Sequence, residues 1–325
     1  MKQATFMTSR RSIVVLATVL LYRNQLSPVN AFSSSQQQHR RHMMPSSMTT
    51  FDTESSTADK GKLLVLGGTG FLGQAVCQRA LLEGYQVTSL SRRGLPPDNQ
   101  KLSATRIDYR QGDARKKDSI ANILLDSTGD GDAYVGIIHC VGLLFDDSSG
   151  LGSYNRFVSG SGSLPDSAST YDTITRLTAF NAMEVATEYC QKKQKKAFPF
   201  VFTSAAEAGW PDVAGGELIE KFLAPDFLKR YLAAKRAVEA KLLASQEDDN
   251  VYLRPIIFRP SLIYSLDRPA SFASVGAFFV GNKVGLPFID RPVTVQSLAA
   301  AMVRAIGKES VQGILRYPDI DELAS

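Results

Sequence analysis

The amino-acid sequence predicts an α/β protein in which a doubly wound parallel sheet is followed by a small C-terminal cap. Two observations indicate this class. Short apolar segments typical of strands alternate with longer helical segments from residue 62 onward. A glycine-rich turn, with glycines at positions 67, 70 and 73, joins the first strand to the first helix. With 325 residues, 44% of them hydrophobic, the chain can form one large domain with a sizeable core.

The glycine turn lies in the unit Lys62–Arg93, with the sequence KLLVLGGTGFLGQAVCQRALLEGYQVTSLSRR. Leu63–Leu66 is apolar throughout, as a parallel strand buried on both faces requires. Phe71–Leu82 has helical periodicity, and Gly84 ends it. A helix N-terminus after such a turn favours a pyrophosphate, and this strand–turn–helix context weighs against the alternative of a glycine turn that binds nothing. The predicted cofactor-binding residues of the turn are Gly67, Gly70, Phe71, Leu72 and Gly73.

The end of the second strand indicates which dinucleotide is bound. There the sequence is Ser91-Arg92-Arg93, where an acidic residue would hold the ribose of NAD. A carboxylate would repel a 2′-phosphate, whereas a guanidinium can pair with it. Ser91 and Arg92 therefore favour NADP(H), with NAD(H) as the alternative.

The remaining elements follow in α/β order. Further strands are predicted over Arg106–Gln111, Tyr134–Cys140, Phe198–Phe202 and Leu253–Arg259, and helices over Asp118–Leu125, Thr173–Lys193, Phe227–Leu243 and Arg291–Ala305. Gly313–Tyr317 and Asp319–Ala324 complete the domain. The helix from Thr173 is expected to bury Ile174, Leu177, Phe180, Ala182, Val185 and Tyr189. The polar stretch Asp146–Thr170 is interpreted as a flap beside the active site. Residues Ser271–Val280 and Val284–Ile289 are interpreted as the core of the cap, with a lipid-like pocket or membrane contact as alternatives.

The basic charge of the chain is concentrated at its N-terminus. Residues 1–51 contain six basic and no acidic residues, which leaves 31 basic and 32 acidic residues in the remainder. This distribution gives no indication of nucleic-acid binding. Arg10-Arg11 precede the short apolar run Ile13–Tyr22, and an acid-free Ser/Gln/Arg-rich stretch follows, so residues 1–51 are predicted to be a targeting leader. Residues 52–61 are then a linker and residues 62–325 the folded domain. A mitochondrial presequence and the two-part leader of a secondary plastid remain equal alternatives.

Cysteine and histidine usage limits the chemistry. The three cysteines, Cys77, Cys140 and Cys190, are scattered, and each is expected to be a small buried residue. His139 is the one histidine beyond the leader, which excludes a Ser-His-Asp triad and a multi-histidine metal site. It is predicted to be a hydrogen-bonded structural histidine, and no metal is expected.

Several segments together resemble the atypical short-chain dehydrogenases/reductases, whose fold is the Rossmann fold. They are LLVLGGTGFLGQAVCQRALLEGYQVTSLSRRG, IIHCVGLLFDD, FTSAAEAG, YLAAKRAVEAKL, YLRPIIFRPSLIY and RPVTVQSLA, and they extend from about residue 62 to the C-terminus. Within this group the chain resembles members tied to coenzyme Q biosynthesis in fungal mitochondria, and it also resembles the NAD(P)H-binding accessory subunit of complex I.

The resemblance implies roles for further residues. Tyr231 would pass a proton while hydride moves, and Lys235 would hold the nicotinamide ribose and lower the pKa of the tyrosine. An Asp at the place of Asp113 would contact the adenine, although capping of the following helix is equally expected. Val141, Gly142 and Pro260 would line the cofactor cleft. One departure is that Ala205 stands where the epimerase branch has its catalytic serine; the adjacent Ser204 is a doubtful substitute, because side chains alternate along a strand.

These observations support three functions. The first is an organellar NADP(H)-dependent reductase-like protein in or beside quinone metabolism, acting on a small apolar or quinone-like substrate. The second, favoured by Ala205, is a non-catalytic cofactor-binding subunit of a membrane-associated protein complex. The third is an epimerase or dehydratase, which the same alanine weakens. Nicotinamide binding is common to all three.

Overall fold

The computed structural model describes residues 60–96, 106–126, 133–146, 149, 168–246, 251–266, 279–280, 282–283, 285 and 289–325. The predicted leader, the linker before residue 60, most of the predicted flap and most of the predicted cap segment lie outside the described residues. The described residues belong to one compact unit that begins at Asp59.

Nine strands and seven α-helices are formed by the described residues. The strands are β1 Lys62–Leu66, β2 Gln86–Ser91, β3 Ile107–Gln111, β4 Tyr134–His139, β5 Phe198–Thr203, β6 Leu253–Phe258, β7 Ile263–Tyr264, β8 Val293–Thr294 and β9 Gly313–Leu315. The α-helices are α1 Phe71–Leu82, α2 Lys117–Leu124, α3 Thr178–Lys193, α4 Gly216–Leu223, α5 Asp226–Ala244, α6 Val295–Gly307 and α7 Tyr317–Ala324. A π-helical turn, Asp172–Leu177, leads into α3, and a 3₁₀ helix, Ala206–Asp212, follows β5.

Seven strands form one sheet in the order β3-β2-β1-β4-β5-β6-β9, and every neighbouring pair is parallel. The chain moves outward from β1 to β3 and then crosses to β4, so the strand order reverses between β1 and β4. This confirms the predicted doubly wound sheet. β7 and β8 pair separately as a small parallel sheet.

Alternate residues of the central strands supply the two halves of the core. Leu63 and Val65 of β1 pack with α1, α6 and α7 on one face of the sheet. Leu64 and Leu66 pack with α2, α3 and α5 on the other face. All four leucine and valine side chains are fully buried, which is the continuous apolar pattern expected of a strand covered on both faces.

The buried face of α3 and of the turn before it differs from the prediction. Ile174, Leu177 and Phe180 are half-buried, whereas Thr175 and Thr178 are buried. Thr178 can occupy the apolar face because its hydroxyl bonds to His139 and to the carbonyl of Ile174. The predicted burial was therefore wrong for the first three of these residues, while Ala182, Val185 and Tyr189 are buried as predicted.

Helix α6 begins later than predicted. Val293 and Thr294 pair with β7 as a strand, so the helix does not start at Arg291. The Thr294 hydroxyl then accepts a hydrogen bond of 3.0 Å from the backbone N–H of Ser297, which caps the helix. In the part of the chain that the structure describes, no helix is long and apolar enough to cross a membrane.

Candidate functional site

The carboxyl ends of the parallel strands bring the predicted site residues to one edge of the sheet. Tyr231 and Lys235 reach the same region from α5, which packs beside the end of β5. Such an edge, at a point where the strand order reverses, is where open α/β sheets bind ligands. The residues that follow the strand ends are Gly67 after β1, Ser91 at the end of β2, Asp113 after β3, Val141 and Gly142 after β4, Ser204 after β5 and Pro260 after β6.

The glycine turn is held tightly between β1 and α1. Gly67 has a φ of 82°, in the left-handed region that glycine tolerates. Its N–H donates to the carbonyl of Leu90 at 2.9 Å, and its carbonyl accepts from Gly70 N–H at 2.9 Å. A Cβ on Gly73 would lie 2.2 Å from the Gly67 oxygen. Backbone therefore packs against backbone here, with no room for a side chain.

The N-terminus of α1 faces this turn. Gly70 is its N-cap, no described side chain bonds to the cap, and the first helical turn contains no acidic residue. The positive end of the helix is therefore not neutralised within its own first turn. The Leu72 side chain is buried in the core, so only its backbone can serve a ligand. These features fit a phosphate group bound at the helix N-terminus.

Charged residues follow β2 and β3. Arg92 and Arg93 are exposed at the end of β2. Asp113 accepts three hydrogen bonds from the Arg115 guanidinium, two from Nε and one from Nη2, and one from the Arg115 backbone N–H, at 2.7–3.1 Å. Although burial acts in the opposite direction, these bonds lower the pKa of Asp113. Asp113 does not cap α2, whose N-cap is Lys116, so the capping alternative was wrong.

Lys235 is the most buried cation of the site. It is 3% exposed, and its ammonium group donates to the carbonyl of Thr203 at 2.6 Å. The ammonium lies 4.9 Å from the ring centroid of Phe202 and 5.4 Å from that of Tyr231. Burial lowers the pKa of Lys235 to about 8. The predicted Tyr–Lys pair thus lies side by side on one face of α5, next to the end of β5.

Tyr231 belongs to a small aromatic and alanine cluster. Its ring meets the ring of Tyr171 edge-on, with centroids 5.6 Å apart. Ala205, Leu232 and Trp210 pack in the same cluster. The residue after β5 that packs beside Tyr231 is therefore Ala205, the position that lacks the serine.

Ser204 does not take the place of that serine in the observed arrangement. It is buried, its N–H donates to the carbonyl of Phe258 at 2.7 Å, and its hydroxyl has no hydrogen-bond partner among the described residues. A buried unpaired hydroxyl is unfavourable unless a ligand group satisfies it. Ser204 remains a candidate for contact with a ligand rather than a member of the Tyr231 cluster.

His139 has the structural role predicted for it. Its Nε2 bonds to the Thr178 hydroxyl at 2.9 Å, and burial lowers its pKa to about 3, so the ring is neutral. Cys77 and Cys190 are buried as predicted, while Cys140 is partly exposed. No group of metal-binding side chains occurs among the residues that the structure describes.

Arg259 and its partners were not foreseen. Pro260 was expected to line the cleft, whereas the Arg259 guanidinium beside it binds Glu239 and Asp212. The carbonyl of Pro260 accepts from the Ala206 N–H at 2.9 Å, which fixes the start of the 3₁₀ helix. The sequence signal for Glu239 is its spacing, since it lies four residues after Lys235 on the same helix face.

Comparison with known proteins adds to this geometry. Residues 63–148 match the NAD-dependent epimerase/dehydratase family. MIOREX complex component 2 of Saccharomyces cerevisiae is 27% identical over 296 residues, which cover 80% of this chain and 98% of the yeast protein.

Solved structures share the fold. ElxO with NADP bound is 15% identical, with a TM-score of 0.54, and the match covers 79% of this chain and 96% of ElxO. WbmF of Bordetella bronchiseptica in complex with NAD⁺ is 15% identical, with a TM-score of 0.50, over 83% of this chain and 78% of WbmF. The family match and the fold together confirm the predicted resemblance of this chain to the atypical short-chain dehydrogenases/reductases and their Rossmann-type domain.

Proposed function

We propose that this protein is an organellar NADP(H)-binding reductase that acts on a small apolar carbonyl or quinone-like substrate. The observation that carries the proposal is the pairing of Tyr231 with the buried Lys235 at the sheet edge that also holds the glycine turn. ElxO and WbmF, which share the fold, bind NADP and NAD⁺ respectively. The quinone-like substrate rests on the family resemblance.

The residues present fit a nicotinamide dinucleotide. The close backbone packing at Gly73 and the helix N-terminus at Gly70 suit a pyrophosphate. Arg92, with Ser91, is suited to a 2′-phosphate, and Asp113 lies where the adenine is expected. Lys235 would donate to the nicotinamide ribose, with Val141, Gly142 and Pro260 along the cleft. When bound, the nicotinamide supplies or accepts the hydride.

Tyr231 and Lys235 have separate tasks in the proposed reaction. The Tyr231 hydroxyl gives its proton to the substrate oxygen during reduction, or takes it back during oxidation. The Lys235 cation favours the ionised form of the phenol, which lowers the barrier to that proton transfer. Ser204 would donate a hydrogen bond to the same region from its buried hydroxyl.

Binding of NADPH and NADH to the full chain tests the cofactor assignment. Trp210 is the single tryptophan of the chain and packs in the cluster of Tyr231, so quenching of its fluorescence reports on the site. NADPH is expected to bind more tightly than NADH. Arg92→Ala should weaken NADPH binding about tenfold, which corresponds to the loss of one charge-assisted contact, and leave NADH binding unchanged. Equal loss for both nucleotides would refute the role given to Arg92.

Replacement of Tyr231 by Phe tests the chemistry. NADPH oxidation is measured with short-chain quinones of the ubiquinone and plastoquinone types. Tyr231→Phe should lower turnover by about 10²-fold or more and leave NADPH binding intact, because the ring contacts remain. Tyr252→Phe, just before β6 at the opposite end of the strands, is the matched control. Equal turnover of wild type and Tyr231→Phe would exclude Tyr231 as the proton donor.

A second function is favoured by Ala205: a cofactor-binding subunit that stabilises a membrane-associated complex without turnover. The likeness to the yeast complex component also supports it. A yeast strain that lacks this component distinguishes the two functions. Rescue by the Tyr231→Phe variant but not by Gly73→Ala would favour the structural subunit, whereas failure of both variants would favour the reductase.

We propose that residues 1–51 direct the protein to an organelle. A fusion of residues 1–51 to a fluorescent protein, expressed in a cell with a secondary plastid, should be imported into the mitochondrion or the plastid. Retention in the cytosol would contradict the targeting assignment.

A further inference from the structure

A charge network connects α5 to the end of β6 and to the 3₁₀ helix. Arg259 donates from Nε and Nη2 to the two carboxylate oxygens of Glu239, at 3.0 and 2.7 Å. Its Nη1 donates to Asp212 at 3.0 Å. The side chains of Arg259 and Glu239 are 10% and 4% exposed, while that of Asp212 is 68% exposed. Glu239 is therefore a buried carboxylate that bonds to the Arg259 guanidinium at two points.

Glu239 shares a face of α5 with the proposed reacting groups. Tyr231, Lys235 and Glu239 are spaced four residues apart, so they lie on successive turns. Lys235 and Glu239 are each 3% exposed. Within the described part of the chain, the Lys235 ammonium forms no ion pair, and its closest polar contact is the Thr203 carbonyl. A cation buried this deeply needs a compensating charge from farther away.

Of the described groups that face Lys235, only Glu239 can supply a compensating negative charge. From β4 and the residue after it come His139, which is neutral, and Cys140, whose thiol pKa is raised by burial. From β5 come the Thr203 carbonyl and the Phe202 ring. From α5 itself come the Tyr231 ring and the Glu239 carboxylate. Among these groups, Glu239 is the one acidic side chain that acts on Lys235.

We propose that Glu239 is a positioning residue that keeps the Lys235 ammonium charged, and that Arg259 fixes the Glu239 carboxylate for this task. The proposal rests on the proposed function, in which a charged Lys235 holds the nicotinamide ribose. The charge of Glu239 acts against burial, which alone would drive the lysine toward its neutral form. The Arg259–Glu239 pair would then stabilise the charge of Lys235 in addition to linking α5 to the end of β6.

The test is a pH titration of Lys235 in the full chain without nucleotide, followed by NMR of ¹³C-labelled lysine side chains. The signal is assigned by its absence in Lys235→Arg. Glu239→Gln should lower the pKa of Lys235 by about one pH unit or more, because the interaction between two buried charges is weakly screened. Asp212→Asn is the matched control: it removes the other carboxylate partner of Arg259, but this carboxylate is exposed, and the pKa of Lys235 should stay as in wild type.

Two outcomes would overturn the proposal: an unchanged titration in folded Glu239→Gln, or equal shifts in Glu239→Gln and Asp212→Asn. Glu239→Gln leaves Arg259 without this partner. Should the variant fail to fold for that reason, the double change Glu239→Gln with Arg259→Met should lower the pKa of Lys235 by a smaller amount, because the repulsion by Arg259 is lost together with the attraction of Glu239. Because the titration needs no nucleotide, absence of NADPH binding would count against the proposed function alone. If NADPH binds, the pH above which its affinity falls should be lower in Glu239→Gln than in wild type.

Discussion

Gly73→Ala gives the most direct test of the glycine turn. Gly73 lies in the first turn of α1, where helix propensity alone predicts that alanine would stabilise by about 1 kcal/mol. The structure instead predicts that alanine at this position destabilises the protein. The new Cβ would lie 2.2 Å from the Gly67 oxygen and 2.7 Å from Gly68 Cα, whereas ordinary van der Waals contact begins near 3.4 Å. Both neighbours are backbone atoms, so relief requires the turn itself to move.

The expected cost is that of overpacking a rigid site, roughly 1–3 kcal/mol net of the propensity gain. Displacement of the Gly67 carbonyl would also break its hydrogen bond to Gly70, and NADPH binding should fall at least tenfold. Urea unfolding monitored by Trp210 fluorescence measures the stability, and quenching of the same fluorescence by NADPH measures binding. Gly70→Ala is the control, because its Cβ would meet the Gly67 oxygen at 3.2 Å, and it should be much milder. A Gly73→Ala protein as stable as wild type would refute the reasoning.

Two further predictions concern stability. Arg254 is buried and donates hydrogen bonds to four carbonyls at and after the end of α6. Because Arg254→Met leaves these carbonyls without a donor, it should lower the free energy of unfolding, measured by urea titration, by about 3–5 kcal/mol. A loss below about 1 kcal/mol would contradict this prediction. Burial raises the pKa of Glu207 from 4.5 to about 7, so the carboxyl favours folding when protonated, and this contribution is lost as the pH rises from 4.5 to 7. Glu207→Gln cannot ionise, so its free energy of unfolding should not show this loss. Between about pH 4 and pH 8 the variant should therefore gain about 1–2 kcal/mol of stability relative to wild type, a value reduced to allow for the partial exposure of Glu207. Equal pH dependence of the two proteins would contradict the prediction.

The sheet could be predicted because its signals are local. The apolar run at Leu63–Leu66 and the glycine spacing each determine a strand or a turn within a few residues, and the order of such segments then determines a doubly wound topology. The buried face of α3 could not be predicted in the same way. Thr178 is buried because its hydroxyl bonds to His139, 39 residues earlier in the chain. A pattern based on hydrophobicity assigns such a threonine to the surface.

The candidate site also contains some features that the local sequence predicts and others that depend on distant residues. The glycine turn and the Tyr231–Lys235 spacing are visible in short stretches of sequence. The Arg259–Glu239–Asp212 network joins three elements separated by 20 to 47 residues, so no local pattern contains it. The α4 helix and the 3₁₀ helix before it were also missed, because they lie in a segment where Pro, Gly and Asp suggest a loop.

Cofactor binding and catalysis require different groups at this edge of the sheet. Lys235 is integrated into the fold through the Thr203 carbonyl and two aromatic rings, so its presence is explained by packing and nucleotide binding without any reaction. The ring contacts of Tyr231 with Tyr171 and with the Ala205 cluster would be made equally by phenylalanine. The hydroxyl of Tyr231 is therefore the group whose removal separates a reductase from a cofactor-binding subunit, since it can be deleted while the packing around Lys235 is retained.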